Sequence, residues 1–109
     1  MSKQRDTLQG TLELLVLKTL QRSPNHGFGI TLHIQTASDG VLRVEEGSLY
    51  PALRRLERDR LIKGEWTITD NGRRARVYRL TSAGAKRLAE NEEGWAMLTK
   101  SVGKVLRYV

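Results

Sequence analysis

The chain has 109 residues, of which 39% are hydrophobic and 28% charged, and its net charge is +7. This length predicts one domain with a modest core. The absence of cysteine excludes disulfide bonds and thiolate metal sites and is compatible with a reducing cytoplasm. The strongest apolar run near the N-terminus, residues 12–20, contains Glu13 and Lys18 and is shorter than the ~20 apolar residues that span a bilayer. We therefore expect a cytoplasmic protein with no membrane segment and no signal peptide.

The first predicted helix covers residues 7–22 and is apolar on nearly every side. Leu14 and Leu17 widen its apolar face until little polar surface remains. A helix of this kind is buried on more than one side, so we expect it to contact a partner subunit as well as its own domain. The residues that define its main apolar face are Leu8, Leu12, Leu15, Val16 and Leu20.

A second helix is predicted over residues 27–38, and a third, shorter one begins near Ser48. The Ser48 hydroxyl is a plausible N-cap, and Pro51 then falls in the first turn, where its missing N–H costs little. Leucines at spacings of four and three form the buried face of this third helix. The remaining surface carries Tyr50, Pro51, Arg54, Arg55 and Arg58.

A β-hairpin is predicted next, with strands over residues 61–69 and 74–80. Asn71 and Gly72 favour a two-residue type I′ turn because both tolerate positive φ. Such a turn would pair Trp66 with Val77. Apolar side chains occur on both faces of the hairpin, so the pattern leaves open which face meets the core.

The last predicted helix is capped by Thr81 and continues to the C-terminus. It carries an apolar seam at spacings of seven, three and four, typical of a coiled-coil contact. A seam this long exceeds what so small a domain can cover, so we expect a homodimer in which it packs against the last or first helix of a second subunit. Its residues are Leu88, Trp95, Leu98, Val102, Val105 and Val109.

Positive charge is concentrated between Arg54 and Arg79, a segment that contains nine basic and four acidic residues. Clustered cations of this kind favour nucleic acid as a partner, with a solvated basic surface as the alternative. A basic helix followed directly by a basic hairpin is how a winged helix-turn-helix meets double-stranded DNA. The expected fold is mainly α with a two-stranded β-hairpin: a winged helix-turn-helix over residues 1–80 and a dimerisation helix over residues 81–109, in one compact domain.

The segments VEEGSLYPALRRLERDRLI and NGRRARVYRLTSAG, with GTLELLVLKTL and HGFGI nearer the N-terminus, closely resemble the PadR-like transcriptional regulators. The resemblance covers essentially the whole chain. With its single predicted C-terminal helix, the chain is similar to the short subgroup of the family. This resemblance implies a winged-helix homodimer, held by the first and last helices, that usually represses transcription from an imperfect palindrome.

The resemblance also implies roles for individual residues. Ser48 and Tyr50 would contact DNA, Arg54 and Arg55 would lie along the groove, and Arg73, Arg74 and Arg76 would form the wing. Arg58 joins this DNA-contacting set because it lies on the same side of the helix, with pairing to Glu57 or Asp59 as the alternative. Some short members bind flat aromatic compounds between tryptophans paired across the dimer axis. Trp95 is therefore a candidate for a small aromatic effector, with plain dimer core as the alternative.

Other functions find less support in the residues. The chain has no G-x-S-x-G, Walker loop or H-E-x-x-H motif, so we do not expect an enzyme. His26 and His33 have no third ligand nearby in the sequence, so neither a metal nor a cofactor is expected; His26 is expected to help the turn into the second helix. The alternative function is a protein-interaction module whose basic face binds an acidic protein partner.

Overall fold

The computed structural model describes the backbone of residues 3–108 and the side chains of residues 10–108. Within residues 3–108, four helices and three strands follow one another: α1 (Lys3–Arg22), β1 (Asn25–His26), α2 (Gly27–Ala37), α3 (Glu46–Arg58), β2 (Ile62–Ile68), β3 (Arg74–Leu80) and α4 (Ser82–Arg107). The strands form one antiparallel sheet in the order β1-β3-β2. The mainly helical fold with a hairpin is confirmed, except that the sheet has a third strand. That strand is only two residues long, too short to show a period in the sequence.

A single core joins the three N-terminal helices, the base of the hairpin and the start of α4. Val16 and Leu17 of α1 are fully buried there, and so is Leu88 of α4. Burial of a leucine or isoleucine side chain contributes about 1.5–3 kcal/mol, so this cluster fixes how α3 and the hairpin lie relative to each other. The other members are Leu20, Ile30, Ile34, Leu49, Leu53, Leu56, Leu61, Ile62 and Tyr78.

The start of α3 differs from the sequence prediction. The helix begins at Glu46, with Glu45 as N-cap and no side-chain capping bond. The amides of Ser48 and Leu49 both donate to the Glu45 carbonyl, at 3.0 and 2.9 Å. The predicted capping role of Ser48 is therefore wrong, and Pro51 lies inside the helix. The prediction took Pro51 as a first-turn marker, whereas the helix extends beyond it toward the N-terminus.

The hairpin turn also differs from the prediction. The Thr69 amide donates to the Arg73 carbonyl at 2.7 Å, which leaves a three-residue loop in which only Gly72 has positive φ, +78°. Three-residue loops of this kind end in a left-handed residue, so Asn71 does not need that conformation. The register shifts by one, and Trp66 pairs with Arg76 instead of Val77.

This register decides which face of the hairpin meets the core. Ile62 and Tyr78 lie on the same face as Trp66 and Arg76, because directly paired residues share a face and residues alternate along a strand. Ile62 and Tyr78 are buried near the base, while β2 is largely exposed from residue 65 onward. The wing, defined here as residues 65–77, therefore extends away from the core.

α4 begins at its predicted cap, since the Thr81 hydroxyl accepts from the Gly84 amide at 3.0 Å. With 26 residues, the helix is about 39 Å long at 1.5 Å per residue. Leu88 is completely buried in the core of its own chain, so its predicted role as a contact with a second subunit is corrected. Beyond it the helix leaves the core and exposes Trp95, Met97, Leu98, Val102, Val105 and Leu106.

Candidate nucleic-acid interface

α3 presents a polar, basic face opposite its buried one. Leu49, Ala52, Leu53 and Leu56 point into the core, while Tyr50, Arg54 and Arg58, each four residues from the next, are exposed. Ser48 is also exposed. The Tyr50 side chain keeps 40% of its surface accessible and lies over the start of α2, where a Cβ on Gly27 would meet its hydroxyl at 3.0 Å.

The two arginines predicted next along this helix behave differently. Arg55 turns toward α1, and its Nε lies 3.1 Å from Oε2 of Glu13. Both side chains are about a quarter exposed, so the structure does not place Arg55 on the open face with Arg54. Arg58 pairs with its neighbour Asp59 at 3.3 Å on the surface. Exposed pairs of this kind are weak, so Arg58 remains available to another anion.

The wing carries stacked arginines and an aromatic ring. The Arg74 guanidinium lies 4.6 Å from the centre of the Trp66 ring, a cation–π contact. Trp66 is 59% exposed, and Arg73 at the tip is exposed as well. Arg76 instead forms an ion pair with Glu57 of α3, with both side chains about one third exposed.

Tyr78, at the base of the wing, lies next to this ion pair. Burial raises the pKa of its hydroxyl above the ordinary value of 10.0, and the neighbouring Arg76 guanidinium opposes that rise. The phenol is therefore neutral at physiological pH, and Glu57 is the carboxylate that balances the charge on Arg76.

An open groove runs between the start of α2, the exposed side of α3 and the wing. Tyr50 forms one side of it and the wing arginines Arg73 and Arg74 form the other. The fold thus brings the two basic segments of the sequence to one surface. The complete lining is His26, Gly27, Phe28, Tyr50, Trp66, Thr69, Asn71, Arg73, Arg74, Ala75, Arg76 and Tyr78.

Two aromatic residues of this groove were not predicted as part of the site. Phe28 falls within the predicted second helix, and it is 69% exposed while Ile30 and Ile34 are buried. Trp66 was considered only for its strand pairing. A tryptophan within a strongly basic hairpin was the available signal, because guanidinium groups stack on aromatic faces.

The predicted dimerisation residues divide between the core and the surface. Leu12 and Leu15 are partly buried and pack against the core. The Leu8 side chain and Val109 lie outside the described part of the chain. Trp95, Leu98 and Val102 are each nearly half exposed. A shallow pocket between α1 and α4 is lined by Trp95, Leu98, Leu14, Glu13 and Arg87, among others.

The two histidines take part in local hydrogen bonds. Nδ1 of His26 accepts from the Gly29 amide at 3.0 Å and caps α2, which confirms its predicted role in the turn into that helix. Nδ1 of His33 lies 3.2 Å from Nη1 of Arg22. Among the described side chains, no three metal-ligating groups lie close enough together to hold a metal ion. Within residues 3–108, none of the helices is long and apolar enough to cross a membrane.

Three helices with a basic wing on the same face as the third helix define the winged helix-turn-helix class of DNA-binding proteins, and this chain adds a long final helix. Residues 16–90 match the transcriptional regulator PadR-like family. The chain belongs to that family, which confirms the resemblance seen in the sequence. Its members are DNA-binding regulators of transcription, so the protein is a transcriptional regulator and not an enzyme.

Relatives of known structure or function cover nearly the whole chain. A transcriptional regulator of Mycobacterium tuberculosis is 36% identical over 98 residues, which make up 90% of this chain and 88% of that protein. A transcriptional regulator from Clostridium thermocellum superposes with a TM-score of 0.82 at 27% identity, over 91% of this chain and 96% of the other. A PadR family transcriptional regulator from Eggerthella lenta gives a TM-score of 0.78 at 35% identity, over 94% and 88%.

Proposed function

We propose that this protein is a homodimeric repressor that binds a palindromic operator in double-stranded DNA. The observation that carries the proposal is the groove shared by Tyr50 of α3 and the wing arginines Arg73 and Arg74. A helix that enters the major groove and a wing that reaches the neighbouring backbone must lie on one face. The relatives described above are bacterial, and a bacterial repressor acts in the cytoplasm, where the genome is held, so the proposal places the protein there.

The proposed contacts follow from exposure and charge. Ser48, Tyr50, Arg54 and Arg58 face outward on α3 and would lie in or along the major groove. Arg73 and Arg74 are exposed on the wing and would contact phosphates, which set affinity more than sequence preference. The Arg55 guanidinium is paired with Glu13, so in this proposal Arg55 supports α3 against α1.

The proposed dimer is supported by the apolar surface that α4 exposes beyond the core. Trp95, Leu98, Val102 and Val105 recur at heptad spacing and remain accessible. Contiguous exposed apolar surface marks an interaction site, and a second copy of α4 offers a matching heptad seam. Two subunits related by a two-fold axis would present two α3 helices to half-sites about 34–36 Å apart.

The first test is fluorescence anisotropy with the protein's own promoter duplex and a scrambled duplex of equal length, over a salt series. We expect the promoter to bind about 10³-fold more tightly, within the usual specificity range. Arg74→Ala should weaken binding of the dimer to both duplexes at least roughly hundredfold, since each of its two copies would lose a charge-assisted hydrogen bond of about 1.5–3 kcal/mol. The slope of log K against log salt should also become shallower by about 1.8, or about 0.9 for each of the two lost phosphate contacts.

Arg79→Ala is the matched control. Arg79 lies on the same strand as Arg74 but on the opposite face, where it pairs with Glu65 at the surface. It should leave both affinities near the wild-type values. Equal, weak and steeply salt-dependent binding of both duplexes by the wild type would contradict sequence-specific repression. It would favour the alternative of an acidic protein partner for the basic face.

We also propose that a small aromatic effector releases the repressor by binding beside Trp95. The support is the pocket between α1 and α4, in which the half-exposed Trp95 ring lies near Leu14 and Leu98. A planar aromatic compound could stack on this ring, with centroids about 4.5–7 Å apart. In the proposed dimer the same seam would place the partner's copy of this ring nearby.

Tryptophan emission tests this proposal, provided that the two tryptophans are separated. Trp66 is also exposed and lies in the other groove, so quenching of wild-type emission alone would not identify the site. Planar aromatic compounds should quench the Trp66→Phe variant, in which Trp95 is the remaining tryptophan, but not the Trp95→Phe variant. Emission from Trp66→Phe that stays constant across a broad panel of such compounds would rule out the effector site.

A further inference from the structure

Arg76 occupies a partly enclosed position at the junction of α3 and the wing. Its guanidinium forms an ion pair with Glu57 of α3 and lies 5.6 Å from the Trp66 ring centre and 5.8 Å from that of Tyr78. Three of its sides are therefore taken by groups of its own chain. This differs from Arg73 and Arg74, which are exposed on the outer wing.

Gly64 of β2 provides the space for this guanidinium. A Cβ at Gly64 would lie 2.6 Å from Nε and 2.9 Å from Cζ of Arg76, closer than Cβ contacts in real proteins. Among the described glycines only Gly40 and Gly72 have positive φ, so the backbone at Gly64 does not itself require glycine. The residue is best explained by the close approach of Arg76.

The third strand, β1, pairs with β3 at the base of the wing, where His26 lies opposite Val77. Beyond that pair the wing is a two-stranded ribbon, which is marginally stable on its own, and β2 is mostly exposed from residue 65 to its end. The ion pair between Arg76 and Glu57 joins the middle of this ribbon directly to α3. Its loss would leave the angle between the two DNA-facing elements less well defined.

We propose that Arg76, seated over Gly64 and paired with Glu57, is a positioning residue that sets the angle of the wing relative to α3, and not a phosphate contact. The inference rests on the proposed function, because it concerns the same DNA-binding surface. A wing held at one angle lets α3 and the wing engage one operator geometry together. A loose wing still attracts phosphates but loses the preference for the operator.

Removing the charge of Glu57 should have different effects on DNA binding if Arg76 positions the wing than if electrostatic attraction alone matters. Glu57→Gln removes a negative charge beside the DNA-facing surface, so electrostatics alone predicts tighter binding to every duplex. The positioning role predicts instead that the ratio of operator to scrambled affinity falls roughly tenfold, which corresponds to about 1.4 kcal/mol. Arg76→Gln should lower the ratio similarly. The double variant should be little worse than either single one, since both remove the same interaction.

Gly64→Ala tests the same point without changing any charge. The new methyl would displace the end of a flexible arginine side chain and not backbone atoms, so we expect the fold and melting temperature to be retained. The affinity ratio should again fall roughly tenfold, while affinity for scrambled DNA and the salt slope stay at wild-type values. The Glu65→Gln and Arg79→Gln variants are matched controls, since they break the β2–β3 ion pair on the other face of the hairpin.

The outcomes distinguish the inference from the proposed function. If the wild type prefers its operator and the Gly64→Ala and Glu57→Gln variants keep that preference in full, the positioning role is overturned. An Arg76→Gln variant that weakens binding to both duplexes equally, with a salt slope shallower by about 1.8 for the two copies in the dimer, would make Arg76 a phosphate contact. A wild type without preference for any promoter duplex would overturn the proposed function, and this inference with it.

Discussion

The Gly84→Ala variant should lose about 3 kcal/mol of folding free energy, at the upper end of what overpacking costs. A Cβ at this position would collide with the carbonyl oxygen of Leu61 and would lie 2.7 Å from Cδ1 of Leu80. The carbonyl belongs to the backbone, which cannot move aside as a side chain can. The start of α4 would have to shift away from the hairpin and pull Leu88 from the core. Because natural domains are stable by only about 5–15 kcal/mol, a loss of this size is severe.

Urea unfolding followed by circular dichroism measures this effect, and Gly94→Ala in the same helix is the control. A Cβ at Gly94 meets nothing within 4 Å, so alanine there should raise stability by about 0.4–1 kcal/mol through the unfolded state. The two substitutions are chemically identical, yet they should change the free energy of unfolding in opposite directions. Equal stability of Gly84→Ala and wild type would mean that α4 does not approach the hairpin as closely as described.

Leu98→Asp should convert the proposed dimer into a monomer. Leu98 lies nearly half exposed at the middle of the α4 seam, and in a two-fold dimer the change would place a carboxylate there on each subunit. An uncompensated buried charge costs about 3–5 kcal/mol. The dimer dissociation constant should therefore rise at least roughly hundredfold, as measured by sedimentation equilibrium.

Operator binding should fall with dimerisation, because a monomer holds a single half-site. Ala96→Asp introduces the same charge on an exposed residue two positions away, on a different side of the helix. It should leave both the dimer and operator affinity close to wild type. A Leu98→Asp protein that remains dimeric would show that the second subunit does not cover this part of α4.

The sequence was sufficient for features determined by short-range patterns. The Thr81 cap, the spacing of Leu49, Leu53 and Leu56, and the order of the elements follow from local rules, and the structure confirms them. The register of the wing depended on a single loop residue. Asn71 and Gly72 suggested a two-residue turn, while the bond between Thr69 and Arg73 that selects the longer loop has no signature in the composition.

The candidate site was predictable as a surface but not contact by contact. The basic helix and basic hairpin identified the two elements that face DNA. Which arginines remain free depended on acids distant in the chain: Glu13 holds Arg55 across 42 positions, and Glu57 holds Arg76 across 19. Such pairings arise from tertiary packing, so arginines that look equivalent in the sequence differ in the fold. Leu88 fits the heptad seam in the sequence, yet it is buried in the core of its own chain. The heptad pattern does not show at which residue α4 extends beyond the rest of the domain.

α4 is one continuous helix from its cap at Thr81 to Arg107. The exposed apolar seam and the buried Leu88 therefore belong to the same helix and move together. In the proposed dimer, a rotation of about 10° between the two helices at Trp95 would displace Ser82, roughly 20 Å away along α4, by roughly 3.5 Å. That movement is about a tenth of the 34–36 Å between half-sites. An effector bound beside Trp95 would therefore need neither a hinge nor local unfolding to release the DNA. By rotating the two α4 helices it would change the distance between the two α3 helices, so that they no longer match the spacing of the half-sites.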